Sequence, residues 1–107
     1  MNDMSTKSIG NNAAAAGNPA VEPRRSDAAI LAKYRHTEFY RPDFVAACIA
    51  AVDKRMETNS VTVIRPNGNG FEVRAIRDVL RNHGFVVDAP ERGFYHAIDQ
   101  LTVTKRS

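Results

Sequence analysis

Three arginines of the chain, Arg74, Arg77 and Arg81, are spaced three and four residues apart. If this segment is helical, the three guanidinium groups lie on one stripe of the helix surface. Such a stripe can follow the phosphates of a nucleic acid, with Arg65 near the start of the same helix. The alternative is a solvated face on which Asp78 pairs with Arg74 and Arg81, because charges of alternating sign on a helix are typical of such a face.

Two aromatic residues near the C-terminus are a second feature with binding chemistry. Phe94 and Tyr95 closely follow Arg92. Aromatic rings beside an arginine can stack on bases or anchor a protein partner, but they can equally pack across the strands of a sheet. The candidate binding residues are therefore Arg65, Arg74, Arg77, Arg81, Arg92, Phe94 and Tyr95.

The sequence contains no recognisable catalytic or metal-binding cluster. His36, His83 and His96 lack the spacing of metal ligands. The single Cys48 falls on an apolar stripe and is predicted to pack in the core. The segment NGNG at residues 67–70 is followed neither by the lysine of a P-loop nor by GxGxxG spacing, so it is predicted to be a turn. We therefore predict a protein that is not an enzyme and binds no cofactor or metal.

A strand, a turn and a helix are predicted over residues 61–84. Residues 61–64 are all β-branched and alternate in direction, which is typical of a strand. Asn69 and Glu72 have the spacing of a capping box, so a helix should begin at about Gly70. Gly84 is suited to end this helix, because glycine accepts a left-handed conformation.

Two further strands are predicted after this helix. Residues 85–87 form the first of them, and residues 90–93 have the composition of a type I turn. The chain then returns through residues 94–98 to a last strand at residues 101–105.

Two helices are predicted before the first strand. The first covers about residues 27–36 and begins at Ser26, a good N-cap. The second runs from Pro42 to about residue 56, and its apolar stripe consists of Phe44, Val45, Cys48, Ile49, Val52 and Met56. The opposite face of the second helix has only small side chains, those of Ala46, Ala47, Ala50 and Ala51. Another helix or a second subunit could therefore approach this face closely.

The predicted fold is α+β, with the element order α-α-β-α-β-β over residues 26–107. A three-stranded sheet packed by helices on one face is the simplest way to bury these elements. The other face of such a sheet needs cover, which dimerisation would supply. The order of the strands within the sheet stays open.

Composition sets the outer limits of this prediction. Residues 1–25 are mostly small and polar and are predicted to be disordered. The 107 residues carry 15 basic and 12 acidic groups, and this net charge of +3 suits anionic partners as well as ordinary solubility. Because no stretch approaches the ~20 apolar residues of a membrane span, we expect a soluble cytoplasmic protein without a membrane partner.

Residues 43–105 resemble two groups of proteins. The succession of a helix, the strand SVTVIR, a helix and a hairpin ending in LTVTK resembles small α+β accessory proteins encoded by bacteriophages. The same order resembles the later part of Alba-like domains, in which a hairpin arm and basic loops engage nucleic acid. Here NGNG stands in place of the basic loop, and Arg92 and Lys105-Arg106 are the residues that match the basic arm.

The sequence thus favours a small binding protein that acts through protein–protein contacts and self-association, as an accessory protein of a phage or mobile element. The alternative is a nucleic-acid-binding protein that uses Arg74, Arg77 and Arg81 together with the C-terminal hairpin.

Overall fold

The computed structural model describes residues 25–106 and has the predicted α+β fold. Its helices are α1 (Asp27–Leu31), α2 (Pro42–Arg55) and α3 (Gly70–Asn82). Its strands are β1 (Val61–Ile64), β2 (Val86–Asp88), β3 (Glu91–Arg92), β4 (Ala97–Ile98) and β5 (Leu101–Thr104). The predicted element order is confirmed, and the structure adds the two-residue strands β3 and β4 within the last hairpin. The segment predicted to be disordered lies outside the described residues, apart from Arg25.

The last strand is the centre of the main sheet. The strand order is β1-β5-β2, and β5 is antiparallel to both neighbours, so the two edge strands run parallel to each other. Val61 of β1 and Val86 of β2 both lie opposite Thr104 of β5. This arrangement answers the question of strand order that the sequence left open.

One face of this sheet is covered and the other is open. The covered face carries Val87, Leu101 and Val103, all of them buried. The open face carries Val61, Val63 and Val86, whose exposed fractions lie between 46% and 51%. Within residues 25–106, helices therefore pack on one face of the sheet only, as predicted.

The core lies between α2, α3 and the covered face of the sheet. The buried residues of α2 are Val45, Ile49 and Val52, and those of α3 include Val73, Ile76, Val79 and Leu80. The three positions in α2 belong to the apolar stripe predicted for that helix. Burial of each such side chain contributes roughly 1.5–3 kcal/mol. Cys48 packs against this core but remains partly exposed, so it lies at the margin of the core.

The start and end of α3 follow the predicted local signals. The Asn69 side chain accepts a hydrogen bond from the Glu72 backbone at 2.9 Å, and the Asn69 backbone donates to Glu72 Oε1 at 3.0 Å. These two bonds form the predicted capping box. Gly84 follows the helix with a φ of 97°, in the left-handed region that glycine adopts at low cost.

Two local predictions are wrong. The helix α1 ends at Leu31 and not at about residue 36, because the following residues turn and Thr37 bonds to the carbonyl of Tyr34 instead. The turn predicted at residues 90–93 is also misplaced, since Glu91 and Arg92 form β3. The chain reverses at residues 93–96, where Gly93 and His96 have positive φ.

Among residues 25–106, no helix has both the length and the apolar character that a membrane span needs.

Candidate functional site

The chain between β2 and β5 forms a hairpin arm (residues 89–100) with two aromatic rings at its tip. Phe94 and Tyr95 are 89% and 87% exposed. Their rings meet edge to face, with centroids 5.4 Å apart. The interpretation that these rings pack across strands is wrong, because both residues lie in the reversal and not in a strand. The tip therefore presents a pair of rings to solvent.

The base of the hairpin arm is fixed to the rest of the domain. Ile98 in β4 is buried in the core. Arg74 Nη2 donates to the carbonyl of His96 at 3.0 Å, and its Nη1 donates to the carbonyl of Gly70 at 3.2 Å. Arg74 thereby joins α3 to the end of the reversal. The aromatic pair consequently sits on an anchored support.

The charges of the hairpin arm are mainly acidic. Arg92 Nε lies 4.0 Å from Asp99 Oδ2, and His96 Nδ1 lies 3.3 Å from Glu91 Oε1. Ion pairs as exposed as these contribute little to stability. The arm has two carboxylates against one guanidinium. Its carboxylates are thus in excess.

The three side chains of the arginine stripe of α3 make their hydrogen bonds to different partners. Arg74 anchors the hairpin arm, and Arg81 Nη2 donates to the carbonyl of Val87 in β2 at 2.7 Å. Arg77 Nε donates to Asp78 Oδ1 at 2.8 Å. The predicted pairing of Asp78 with Arg74 and Arg81 is wrong.

Asp78 is instead the centre of a small polar group. It accepts hydrogen bonds from Arg77 and from the hydroxyl of Tyr34, and Lys33 Nζ lies 3.5 Å from its Oδ2. Burial opposes ionisation of Asp78, but the bonds from Arg77 and Tyr34 outweigh burial and lower its pKa. Burial and the bond to Asp78 raise the pKa of Tyr34 to about 12. This group fixes the chain after α1 to α3.

Arg77 and Arg81 share a cleft of about 520 Å³ between α1 and α3. Arg25 and Lys33 lie on the same cleft, and Asp78 is its one lining carboxylate among the described residues. The sequence did not reveal this cluster, since Arg25 and Lys33 lie far from α3 in the chain. Four cations therefore surround a concave surface with one anion.

Arg65 lies apart from the other predicted binding residues. It lines the α2–β1 groove, a depression of about 360 Å³ whose wall also includes Arg55. Within residues 25–106, neither guanidinium is close enough to a carboxylate to form a salt bridge. The floor of the groove is mostly apolar, and its residues include Phe44, Cys48, Ala51, Val52, Ile64 and Pro66.

His83 joins three helices through the two nitrogens of its ring. Its Nδ1 lies 2.8 Å from Asp53 Oδ1, and its Nε2 lies 2.8 Å from Asp27 Oδ2. Burial lowers the pKa of His83, but the bonds to Asp53 and Asp27 outweigh burial and raise it. The two carboxylates bind different ring nitrogens and do not converge on one point. No group of three or more His, Cys, Asp or Glu among the described residues is arranged to hold a metal.

Comparison with known proteins adds no relative from which function can be transferred. No protein-family model matches the chain. Searches of curated proteins and of solved structures give no match either. The function of this protein is therefore inferred from its own surfaces.

Proposed function

We propose that this protein is a small interaction module without catalytic activity, which binds protein surfaces through the tip of its hairpin arm and associates with itself. The exposure of Phe94 and Tyr95 on an anchored arm carries the proposal. Aromatic residues dominate the energetics of protein interfaces. The anchor limits the conformational entropy that such a contact would cost.

Two other uncovered surfaces support self-association. The open face of the sheet exposes Val61, Val63 and Val86. The alanine face of α2 is also exposed, because α1 packs on α3. Uncovered apolar surface of this kind is typical of interaction sites.

The double variant Phe94→Ser/Tyr95→Ser tests this proposal. Both side chains are almost fully exposed, so the stability of the domain should change by less than about 0.5 kcal/mol. We expect light scattering to show weaker self-association, and pull-down from the source cell to show loss of specific partners. The matched control is Phe71→Ser, which removes a half-exposed phenylalanine from α3. Unchanged association and unchanged partners in the double variant would contradict the proposal.

A nucleic-acid-binding protein is the second candidate, and the cleft between α1 and α3 favours it. Its cations suit contacts with successive phosphates, and such binding should weaken steeply with salt. A mobility shift at low and moderate salt tests this, with Lys33→Glu and Arg81→Glu as cleft variants. Arg65→Glu is the control, because Arg65 lies in the α2–β1 groove. Absence of a shift at low salt would exclude this candidate.

A further inference from the structure

The hairpin arm and the α2–β1 groove are complementary in chemistry. We propose that the tip of the hairpin arm of one copy of this protein inserts into the α2–β1 groove of a second copy. This inference rests on the proposed self-association and names the two surfaces that produce it.

The size and lining of the groove suit an aromatic ring. Its volume of about 360 Å³ lies within the ~300–1,000 Å³ range of ligand pockets. The floor offers Phe44, Val52 and Ile64 as apolar contacts. Phe94 and Tyr95 supply the rings, and an aromatic side chain can remove roughly 150–250 Å² from water when it is buried. Insertion would therefore bury apolar surface on both partners.

The charges around the two surfaces are opposite. Arg55 and Arg65 line the groove, which has no lining carboxylate among the described residues. The hairpin arm has an excess of one carboxylate over guanidinium groups. Complementary charges of this kind orient two approaching copies and disfavour other relative positions of the arm and the groove. They also favour a second copy over a basic partner such as a cationic peptide.

The arm does not occupy the groove of its own chain, because Phe94 and Tyr95 are almost fully exposed. The groove opens beside β1, whereas the arm continues from β2, and these strands are the opposite edges of the sheet. Arg74 and buried Ile98 hold the base of the arm against the domain, and the tip stays exposed. The contact joins two different surfaces, the arm of one copy and the groove of another. If two copies each insert an arm into the other's groove, a closed dimer forms. If each copy inserts its arm into a different neighbour, the assembly grows longer as the protein concentration rises.

The cysteine in the groove allows a direct test in the full chain. Cys48 is the only cysteine, and the Tyr95→Cys variant adds a second thiol at the tip while Phe94 remains. Under mild oxidation we expect disulfide-linked multimers, and peptide mapping should locate the link between position 48 and position 95. The same variant with Cys48→Ser should lose this link. Ala28→Cys, an exposed position on α1, is the control for random collision.

Charge exchange tests the same contact without cross-linking. Arg55→Glu/Arg65→Glu should weaken self-association at least about ten-fold, which corresponds to 1.4 kcal/mol. Adding Glu91→Arg/Asp99→Arg should restore it, because the charges are again opposite. Arg35→Glu is the matched control, since this exposed arginine lies outside the groove.

The outcomes separate this inference from the proposed function. Self-association that is insensitive to the groove variants, together with no link to Cys48, would overturn the arm-in-groove contact and leave the interaction module intact. A full chain that stays monomeric at its highest attainable concentration would overturn this inference and the self-association from which it starts. In that case, loss of partners from the Phe94→Ser/Tyr95→Ser variant would still support binding of other proteins by the arm.

Discussion

Arg41 encloses the carboxylate of Glu72, a residue with no exposed surface. Its Nε donates to Oε2 and its Nη2 to Oε1, both at 3.0 Å, and its backbone N–H donates to Oε2 at 2.7 Å. The ring of Phe44 lies 4.2 Å from the Arg41 guanidinium. Because Glu72 also closes the capping box with Asn69, one carboxylate orients the first turns of both α2 and α3.

This arrangement predicts a loss of stability in acid. The hydrogen bond from Arg41 lowers the pKa of Glu72 below its usual 4.5, against the opposing effect of burial. The contribution of a lowered pKa is present above the unfolded value and is lost as pH falls through the folded value. Glu72→Gln should therefore reduce the free energy of unfolding by about 2 kcal/mol near neutrality.

Chemical denaturation of wild type and Glu72→Gln over a range of pH checks this prediction. The difference between the two proteins should narrow as the pH falls well below 4.5. The control is Glu38→Gln, which changes an exposed carboxylate. A difference that stays constant over the whole range would show that Glu72 does not contribute through its charge.

Two neighbouring glycines should respond differently to alanine. A Cβ at Gly68 would lie 2.7 Å from Phe44 Cε2 and 2.9 Å from Glu72 Oε1, two atoms that the Arg41 contacts hold in place. Gly68→Ala should therefore cost about 1–3 kcal/mol. A Cβ at Gly70 would meet only Arg74 Nη1, at the end of a long side chain that can shift if its bonds to the Gly70 and His96 carbonyls weaken. No core atom has to move, so Gly70→Ala should cost less than Gly68→Ala. Thermal unfolding measures both, and equal losses would contradict the close approach at Gly68.

Local signals made part of this fold predictable. The capping box of Asn69 and Glu72 and the glycine that follows α3 depend on residues that are close in sequence, and both formed as predicted. The burial of Glu72 was not predictable, because its partner Arg41 is distant in sequence and directly precedes α2. The arginine stripe had helical spacing, which predicts the direction in which each side chain leaves the helix. The hydrogen-bond partner of each guanidinium depends on tertiary contacts, which cannot be read from the spacing.

The position of the aromatic pair shows a further limit. Pro90 and Gly93 suggested an early turn, which would have returned Phe94 and Tyr95 into a strand. In the structure Glu91 pairs with Ile98, and the burial of Ile98 in the core stabilises this register. With this register the chain reverses at residues 93–96 and not at residues 90–93. The packing of Ile98 in the core therefore determines that Phe94 and Tyr95 are exposed.

Removal of the Arg74 anchor should loosen the hairpin arm without unfolding the domain. Arg74→Gln loses the bond to the carbonyl of His96, which we expect to contribute about 1 kcal/mol. Amide hydrogen exchange within residues 91–98 should accelerate about five-fold, while α2 and β1 remain protected. Arg92→Gln is the control on the arm, because its contact with Asp99 is long and exposed. Equal acceleration in both variants would contradict the anchoring role of Arg74.

The bridge from Asp27 through His83 to Asp53 should make the docking of α1 depend on pH. His83 has its pKa raised above 6.5 in the folded protein, because the two carboxylates outweigh the effect of burial. A raised pKa contributes stability that is fully present below the unfolded value and is lost as pH rises through the folded value. The bridge should therefore be strongest in mildly acidic solution.

The variant His83→Gln checks this dependence. It should be less stable than wild type by about 1 kcal/mol below pH 6.5, and the gap should narrow as the pH rises. Asp53→Asn should reproduce part of the effect, because it removes one of the two carboxylates that face the ring. His36→Gln is the matched control, since His36 is exposed. A gap that widens with rising pH would mean that His83 is bound as the neutral imidazole, and that its contacts with Asp27 and Asp53 are not ion pairs.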